Sequence, residues 1–211
     1  MSFKKTAIIL GTLSLLTAKN INAQENKYFL LENKNQTEIT PKVDTSSYSK
    51  QNQKIKEFVE NAREYIGTPY SWGGRLTKKN PGLDCLGLLF IPYSETFGTK
   101  WYDFSVYPSQ IVEKNQLGKP VKGLDGILSE DVPISNLQEG DIIYLLSKTK
   151  IQDKPLAKIN GIEYWPWHTG IYSNKKENLF LEASPFSKVI ERDFSEVLKE
   201  NIGIFVTRIN P

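Results

Sequence analysis

Residues 65–74 read YIGTPYSWGG, and residues 84–93 read DCLGLLFIPY. The first stretch closes a helix that we predict over residues 54–66, where apolar residues recur at helical spacing. Gly67 and Pro69 end this helix, because glycine favours a C-terminal cap and proline cannot continue the backbone hydrogen bonds. The second stretch starts another apolar run with helical spacing. Together the two stretches predict a helix, a loop and a second helix.

The second helix is predicted to begin at Asp84-Cys85, with Asp84 as its N-cap. Free amide groups at a helix start stabilise an anion, and the thiolate is the nucleophilic form of cysteine. Cys85 is therefore a candidate nucleophile. A lone cysteine is more often a small apolar residue of the core, so position alone leaves both interpretations open. Pro92 lies inside the helical pattern and predicts a kink or a stop there.

The later part of the chain changes from helical to strand patterns. Residues 140–141, Gly-Asp, lead into an apolar stretch that predicts a buried strand over residues 142–146. Three further strands and a short helix are predicted over residues 169–172, 179–183, 204–209 and, for the helix, 194–198. Because helices come first and strands later, the fold class is α+β, with N-terminal helices packed on an antiparallel sheet. Residues 98–138 and 147–166 have the character of long irregular insertions.

The first 23 residues have the order of a secretory signal peptide. Lys4 and Lys5 precede an apolar run over residues 6–16, and Ala23 supplies a small residue at the cleavage point. The run is too short for a membrane span, and the alternative is a buried N-terminal helix. We therefore predict a periplasmic or secreted protein with no transmembrane segment after cleavage. The predicted signal peptide, polar leader segment and folded domain cover residues 1–23, 24–52 and 53–211.

Charge and composition exclude several classes of function. The formal net charge of +3 falls to 0 when the leader is removed, because the leader holds three lysines and no acid. The domain therefore offers no basic surface for nucleic acid. The chain has one cysteine and one histidine, so it can form neither an internal disulfide nor a structural zinc site of about four nitrogen or sulfur ligands. We expect no metal and no cofactor.

His168 is the candidate partner for the cysteine. It begins a predicted strand, directly after a Trp-Pro-Trp sequence, and an imidazole can accept a thiol proton and later return it. A hairpin turn centred near Lys175 would place Glu182 opposite His168, where directly opposed side chains lie about 5 Å apart. Glu182 would then orient the imidazole as the third member of a triad. The alternatives are a structural histidine and an ordinary surface glutamate.

Five short blocks resemble the NlpC family of cell-wall cysteine peptidases. These are residues 65–74, 84–88, 140–143, 168–172 and 182–184, and their order and spacing agree with the family over roughly residues 54–208. The resemblance implies a papain-like core, with Cys85 as nucleophile, His168 as base and Glu182 as the orienting residue. It also implies hydrolysis of the peptidoglycan stem peptide, often between D-Glu and the diamino acid. Since the cysteine precedes the histidine, the circularly permuted acyltransferase branch fits less well.

Four further residues are candidates for substrate binding. The tyrosine of the family that matches Tyr70 helps to line the nucleophile's site, and the backbone amide of Cys85 could contribute to an oxyanion hole. Trp72 and Asp84 lie in the same two motifs, although packing is the better explanation for Trp72. Trp167, like Trp165, flanks the histidine and could form a wall of the cleft or pack in the core.

The sequence departs from the family at three places. Leu86 follows the cysteine where serine is usual, Glu182 replaces the usual His, Asn or Gln, and the two insertions are longer than is common. A carboxylate can still orient an imidazole, so these departures allow activity. We consider three hypotheses: a stem-peptide endopeptidase, an amidase or other acyl hydrolase on the same scaffold, and a non-catalytic wall-binding domain. The third fits least, because Cys85, His168 and a polar residue 182 are all present.

Overall fold

The computed structural model describes residues 45–151 and 154–210, with side chains from residue 49 onward. The predicted signal peptide and most of the predicted polar leader segment lie outside the described residues. Within the described part of the chain, no helix has both the length and the apolar character needed to cross a membrane.

Four α-helices are present in the described residues. Their bounds are Thr45–Arg63 (α1), Cys85–Phe97 (α2), Pro108–Glu113 (α3) and Phe194–Glu200 (α4). α1 begins nine residues before the predicted start at residue 54. The extra residues are polar and contain neither Gly nor Pro. They can therefore continue a helix, although they carry no apolar periodicity by which the sequence could show it.

α2 passes through Pro92, so of the predicted kink or stop at this residue, the stop is wrong. An interior proline costs a helix about 3 kcal/mol because it removes one hydrogen bond and crowds the preceding turn. The flanking residues 87–91 are all buried, and this burial outweighs that cost. The helix ends instead at Gly98, whose φ of 75° is the left-handed conformation of a C-terminal cap.

In the described part of the chain, seven strands form the sheet, and every pairing between neighbouring strands is antiparallel. Their bounds are Lys119–Leu128 (β1), Ile142–Ser147 (β2), Ala157–Ile159 (β3), Ile162–Asn174 (β4), Leu179–Ala183 (β5), Val189–Asp193 (β6) and Gly203–Arg208 (β7). The strand order is β1-β7-β2-β4-β5-β6, with β3 paired to β4. The predicted α+β class, with N-terminal helices packed on an antiparallel sheet, is confirmed.

The two predicted insertions contain regular structure that the sequence did not indicate. β1 lies within residues 98–138 and pairs with β7 through two register shifts. Gly123 and Gly126 adopt positive φ inside this strand, so its side chains do not alternate as in a regular strand. Within residues 147–166, β3 forms a hairpin with the first residues of β4.

The sheet is buried on both faces. On β2, alternate residues contribute to two different apolar clusters: Ile142, Tyr144 and Leu146 to one, Ile143 and Leu145 to the other. The first cluster contains the buried residues of α1 and α2, and the second contains those of α4. This arrangement fixes the start of α2 and the end of α4 relative to the central strands.

Candidate active site

The loop between α1 and α2 is fastened to the start of α2 by one buried carboxylate. Asp84 Oδ1 accepts a hydrogen bond from the amide of Gly87 at 2.7 Å, and Oδ2 accepts one from Gly73 at 2.9 Å. The guanidinium of Arg75 forms an ion pair with the same carboxylate. Both oxygens of Asp84 are thus bonded within the protein. Asp84 could reach a substrate only by giving up one of these partners.

Close backbone packing explains the glycines of the two motifs. A Cβ atom added to Gly74 would lie 2.3 Å from the carbonyl oxygen of Gly82, and one added to Gly87 would lie 2.3 Å from the carbonyl oxygen of Gly74. Side chains at these positions would push the loop away from α2. The spacing of these glycines therefore sets where Cys85 is held.

Cys85 is the first residue of α2 and is half-buried with a free thiol. It lies close enough to the ring of His168 on β4 to raise the pKa of the imidazole by hydrogen bonding and by its negative charge. The other side of the imidazole faces β5, where Nε2 of His168 lies 2.6 Å from Oε2 of Glu182. Both His168 and Glu182 are only 5% exposed. The structure therefore brings the three predicted site residues into one continuous line of contacts.

The hairpin register that predicted this contact is wrong by two residues. Glu182 lies opposite Gly170, not opposite His168, because the pairs Gly170–Glu182 and Tyr172–Phe180 centre the hairpin on Lys176 rather than on Lys175. His168 reaches Glu182 diagonally, over a separation that a ring and a long side chain can bridge. An irregularity in β4, between Pro166 and His168, places Trp167 outside the regular β2–β4 pairing.

The environment of His168 favours its protonated form. Burial of the ring lowers the pKa of His168, but hydrogen bonds from its ring to Cys85 and Glu182, together with the negative charges of both groups, raise the pKa to about 9. A thiolate beside an imidazolium is the nucleophilic arrangement of a cysteine hydrolase. The geometry and charges of the site are thus suited to nucleophilic attack on an acyl carbon.

Tyr70 lies beside the nucleophile. Burial, followed by the negative charges of Cys85 and Asp84, raises the pKa of Tyr70 to about 12, while Arg75 acts in the opposite direction. Its phenol therefore stays neutral at physiological pH and can donate a hydrogen bond. Its backbone amide donates to the carbonyl of Ser187 at 3.1 Å, which joins the loop between α1 and α2 to the turn after β5.

Three exposed aromatic side chains belong to the segments around the site. Trp72 is 85% exposed, so the packing role that the sequence favoured for this residue is wrong. Trp167 is 43% exposed and stacks on the ring of His168, with ring centroids 5.3 Å apart and planes inclined by 30°. Phe186, in the turn after β5, is 91% exposed and was not predicted as a site residue. Trp165, by contrast, is buried.

A cavity of about 230 Å³ adjoins the carboxylate of Glu182. Trp167, Phe186 and Arg192 contribute to its lining. Arg192 was missed in the sequence because nothing local distinguishes it from a surface arginine. Its position follows only from the pairing of β6 with β5, which could not be predicted from the sequence.

Among the described residues, no group of three or more His, Cys, Asp or Glu side chains is placed to hold a metal ion.

The single histidine allows a direct test of this electrostatic arrangement. In protein labelled with ¹³C and ¹⁵N at histidine, we expect NMR to show one imidazole that titrates near pH 9. Replacing Glu182 with Gln should lower this pKa by about 1 or more, because the carboxylate's charge is lost while burial still opposes protonation. Glu191→Gln is the control, since Glu191 pairs with Arg63 and not with the histidine. A wild-type ring that titrates near 6.5 would contradict the arrangement.

Comparison with known proteins identifies a related family. Residues 67–202 match the model of the NlpC/P60 family. No curated protein has a sequence that matches this chain.

Similar solved structures include an N-acetylmuramoyl-L-alanine amidase from Bacteroides uniformis, with a TM-score of 0.51 and 17% identity over 75% of this chain and 100% of that chain. The peptidoglycan hydrolase RipB from Mycobacterium tuberculosis gives a TM-score of 0.49 and 20% identity over 77% of this chain and 68% of that one. The P60 domain of an antigen from M. avium paratuberculosis gives 0.48 and 16% identity over 77% of this chain and 98% of that one. At these identities the similarity concerns the fold.

Proposed function

Because this chain belongs to the NlpC/P60 family, we propose that it is an exported cysteine peptidase that hydrolyses the D-Glu–diamino acid bond of peptidoglycan stem peptides. The family indicates a hydrolase that acts on peptidoglycan. One observation carries the proposal of a cysteine mechanism. The thiol at the start of α2 contacts an imidazole, and Glu182 holds the opposite edge of that imidazole.

The proposed reaction has two halves. The thiolate of Cys85 attacks the scissile carbonyl carbon, and the imidazolium of His168 donates its proton to the leaving amine as the carbon–nitrogen bond breaks. This leaves a thioester on Cys85 and a neutral imidazole. Water then gives a proton to His168 and attacks the thioester carbon. The carbon–sulfur bond breaks, the new carboxylic acid leaves and releases its proton to solvent, and the thiolate–imidazolium pair is restored.

The surrounding groups support particular roles in this reaction. The neutral phenol of Tyr70 and the backbone amide of Cys85, the first residue of α2, are suited to stabilise negative charge on the carbonyl oxygen. Glu182 holds the imidazole ring in one orientation. We assign the exposed rings of Trp72 and Trp167 to substrate contact. We assign Asp84 to holding the loop, since its oxygens are already bonded.

Export follows from the proposed substrate and from the character of residues 1–23. We propose that the mature protein begins near Gln24 and acts in the periplasm or outside the cell. The intact mass of the protein recovered from outside the cytoplasm tests this, and an N-terminus at Met1 would rule it out.

Product masses test the proposed bond. Purified residues 24–211 are incubated with muropeptides of defined composition, and the products are identified by mass spectrometry. Cleavage between D-Glu and the diamino acid should give two fragments, one of which has the diamino acid as its new N-terminus. The second candidate, an amidase, would instead release an intact stem peptide that begins with L-Ala. Binding without any new product would favour a non-catalytic domain.

A further inference from the structure

The carboxylate of Glu182 has a second partner besides the histidine. Its Oε2 atom bonds His168, while its Oε1 atom lies 3.6 Å from Nη1 of Arg192 on β6. Arg192 lies opposite Phe180, so it meets Glu182 diagonally across the β5–β6 pair. A buried carboxylate is stable only when both of its oxygens are compensated. Arg192 therefore supplies the compensation that His168 does not.

The end of α4 holds this arginine in place. Nη2 of Arg192 donates to Oε1 of Glu200, the last residue of α4, at 2.6 Å. Glu200 is largely exposed, whereas Glu182 is buried. The guanidinium thus bridges one surface carboxylate and one site carboxylate. Its planar fork of donors can contact two carboxylates at once, which the single ammonium group of a lysine does less well.

The same helix end also holds the ring that covers the histidine. Nε1 of Trp167 donates to Oδ1 of Asn201, the C-cap residue of α4, at 3.0 Å. The side-chain nitrogen Nδ2 of Asn201 donates to the carbonyl of Val197 at 2.7 Å, which orients the side-chain amide with its oxygen toward the indole. Trp167 is thereby held in its stack against His168.

α4 is itself a firm support. Phe194, Val197 and Leu198 are buried in the second apolar cluster. Two separate chains of contacts therefore connect the C-terminal end of α4 to His168. One runs from Glu200 through Arg192 to Glu182. The other runs from Asn201 through Trp167 to the face of the imidazole.

We propose that the C-terminal end of α4 positions the His168–Glu182 pair, with Arg192 and Asn201 as positioning residues for the hydrolysis. The role assigned to the pair depends on the function proposed above. Neither positioning residue would touch the substrate carbonyl. Their effect would be on how long the imidazole stays aligned with the thiol.

The charged groups around the pair determine the expected pH response. Cys85 faces His168 from α2, and Glu182 faces it from β5. Arg192 lies on the side of Glu182 away from His168 and pairs with Glu200, while Cys85, Asp84 and Arg75 act on the phenol of Tyr70. Removing Arg192 leaves the imidazolium as the nearest cation to Glu182, so the protonated ring should become more stable.

Arg192→Met is the main test, with stem-peptide kinetics and the NMR titration of the single histidine as its two measurements. We expect kcat to fall about 10- to 100-fold with little change in KM, because misalignment affects the reaction more than binding. The pKa of His168 should rise. Arg192→Lys should recover part of kcat, since the charge returns without the second arm of the fork. Asn201→Ala should lower kcat by a smaller factor, also with little change in KM.

Arg63→Met is the matched control, because Arg63 pairs with Glu191 of the same strand at comparable exposure and contacts neither Glu182 nor His168. It should leave kcat and the histidine titration unchanged.

If Arg192→Met is too unstable to measure, Glu200→Gln tests the same chain of contacts at an exposed position. It should lower kcat by a few-fold. A folded Arg192→Met or Glu200→Gln protein with wild-type kcat and an unchanged titration would overturn the proposal.

The proposed function can fail separately from this support. If the wild-type protein cleaves no stem peptide, the rate of iodoacetamide alkylation of Cys85 replaces kcat as the measurement. A slower alkylation and a shifted titration in Arg192→Met, but not in Arg63→Met, would support positioning although the substrate was wrong. Unchanged alkylation and titration would overturn positioning whatever the substrate is.

Discussion

Replacing Cys85 with alanine is expected to abolish stem-peptide cleavage, with kcat reduced by at least about 10⁴-fold. The proposed thioester cannot form without the sulfur, and the chain has no other cysteine to substitute for it. Cys85→Ser should be equally inactive, because a hydroxyl does not ionise at neutral pH as a thiol beside an imidazolium does. The measurement is the rate of fragment release from a defined muropeptide, followed by mass spectrometry.

The fold should survive both substitutions. The start of α2 is capped by the side chain of Asp84, whose bonds to Gly73, Gly87 and Arg75 do not involve the thiol. Circular dichroism and the thermal unfolding midpoint should therefore stay close to those of the wild type. Leu86→Ser, which restores the residue usual in the family next to the nucleophile, is the control and should remain active. Full activity in Cys85→Ala would remove the mechanism altogether.

Alkylation measures the state of the thiol without a substrate. With one cysteine in the chain, iodoacetamide labels a single site. Since the pKa of His168 is raised to about 9, its ring should stay protonated through the neutral range and support a thiolate there. We expect labelling well below pH 8. Labelling that begins only above about pH 8 would mean that Cys85 is an ordinary thiol.

The site residues could be predicted from sequence because their signals are local. A cysteine behind a capping aspartate and a histidine in an apolar strand pattern each carry their chemistry in a few neighbouring residues. The prediction that this strand begins at His168 is wrong, because β4 begins at Ile162. The contact between His168 and Glu182 was predicted, but through a register that is wrong by two residues. The hairpin is centred on Lys176, one residue later than predicted, and no residue pattern marks this position; the diagonal reach of Glu182 compensates for the difference.

The parts that could not be predicted depend on strand pairing and on backbone irregularity. β1 was missed because two glycines at positive φ break its alternation. The first turns of α1 were missed because they carry no apolar stripe. Arg192 and Asn201 are polar residues without a motif, and only the pairing of β6 with β5 and the packing of α4 bring them to the site. Contacts that hold a site residue from the side away from the substrate depend on tertiary packing, and local sequence patterns do not encode them.

Replacing His168 with alanine is expected to reduce kcat by about 10³-fold or more, since no other imidazole in the chain can accept and return the proton. The substitution also changes the charge balance, because Glu182 and a thiolate at Cys85 would be left without the cation between them. The thiol should therefore stay protonated, and its alkylation at pH 7 should become slow and rise only above about pH 8.5. Activity and alkylation should thus fall together.

This joint loss separates the role of a base from that of a spacer. Trp167→Ala is the control, since it removes the ring stacked on His168 but keeps the imidazole. It should lower kcat by far less and keep alkylation fast at pH 7. His168→Ala protein that lost cleavage but kept rapid alkylation at neutral pH would show that the thiolate is stabilised by the start of α2 alone. In that case His168 would serve only to protonate the leaving amine, and the proposed thiolate–imidazolium pair would be wrong.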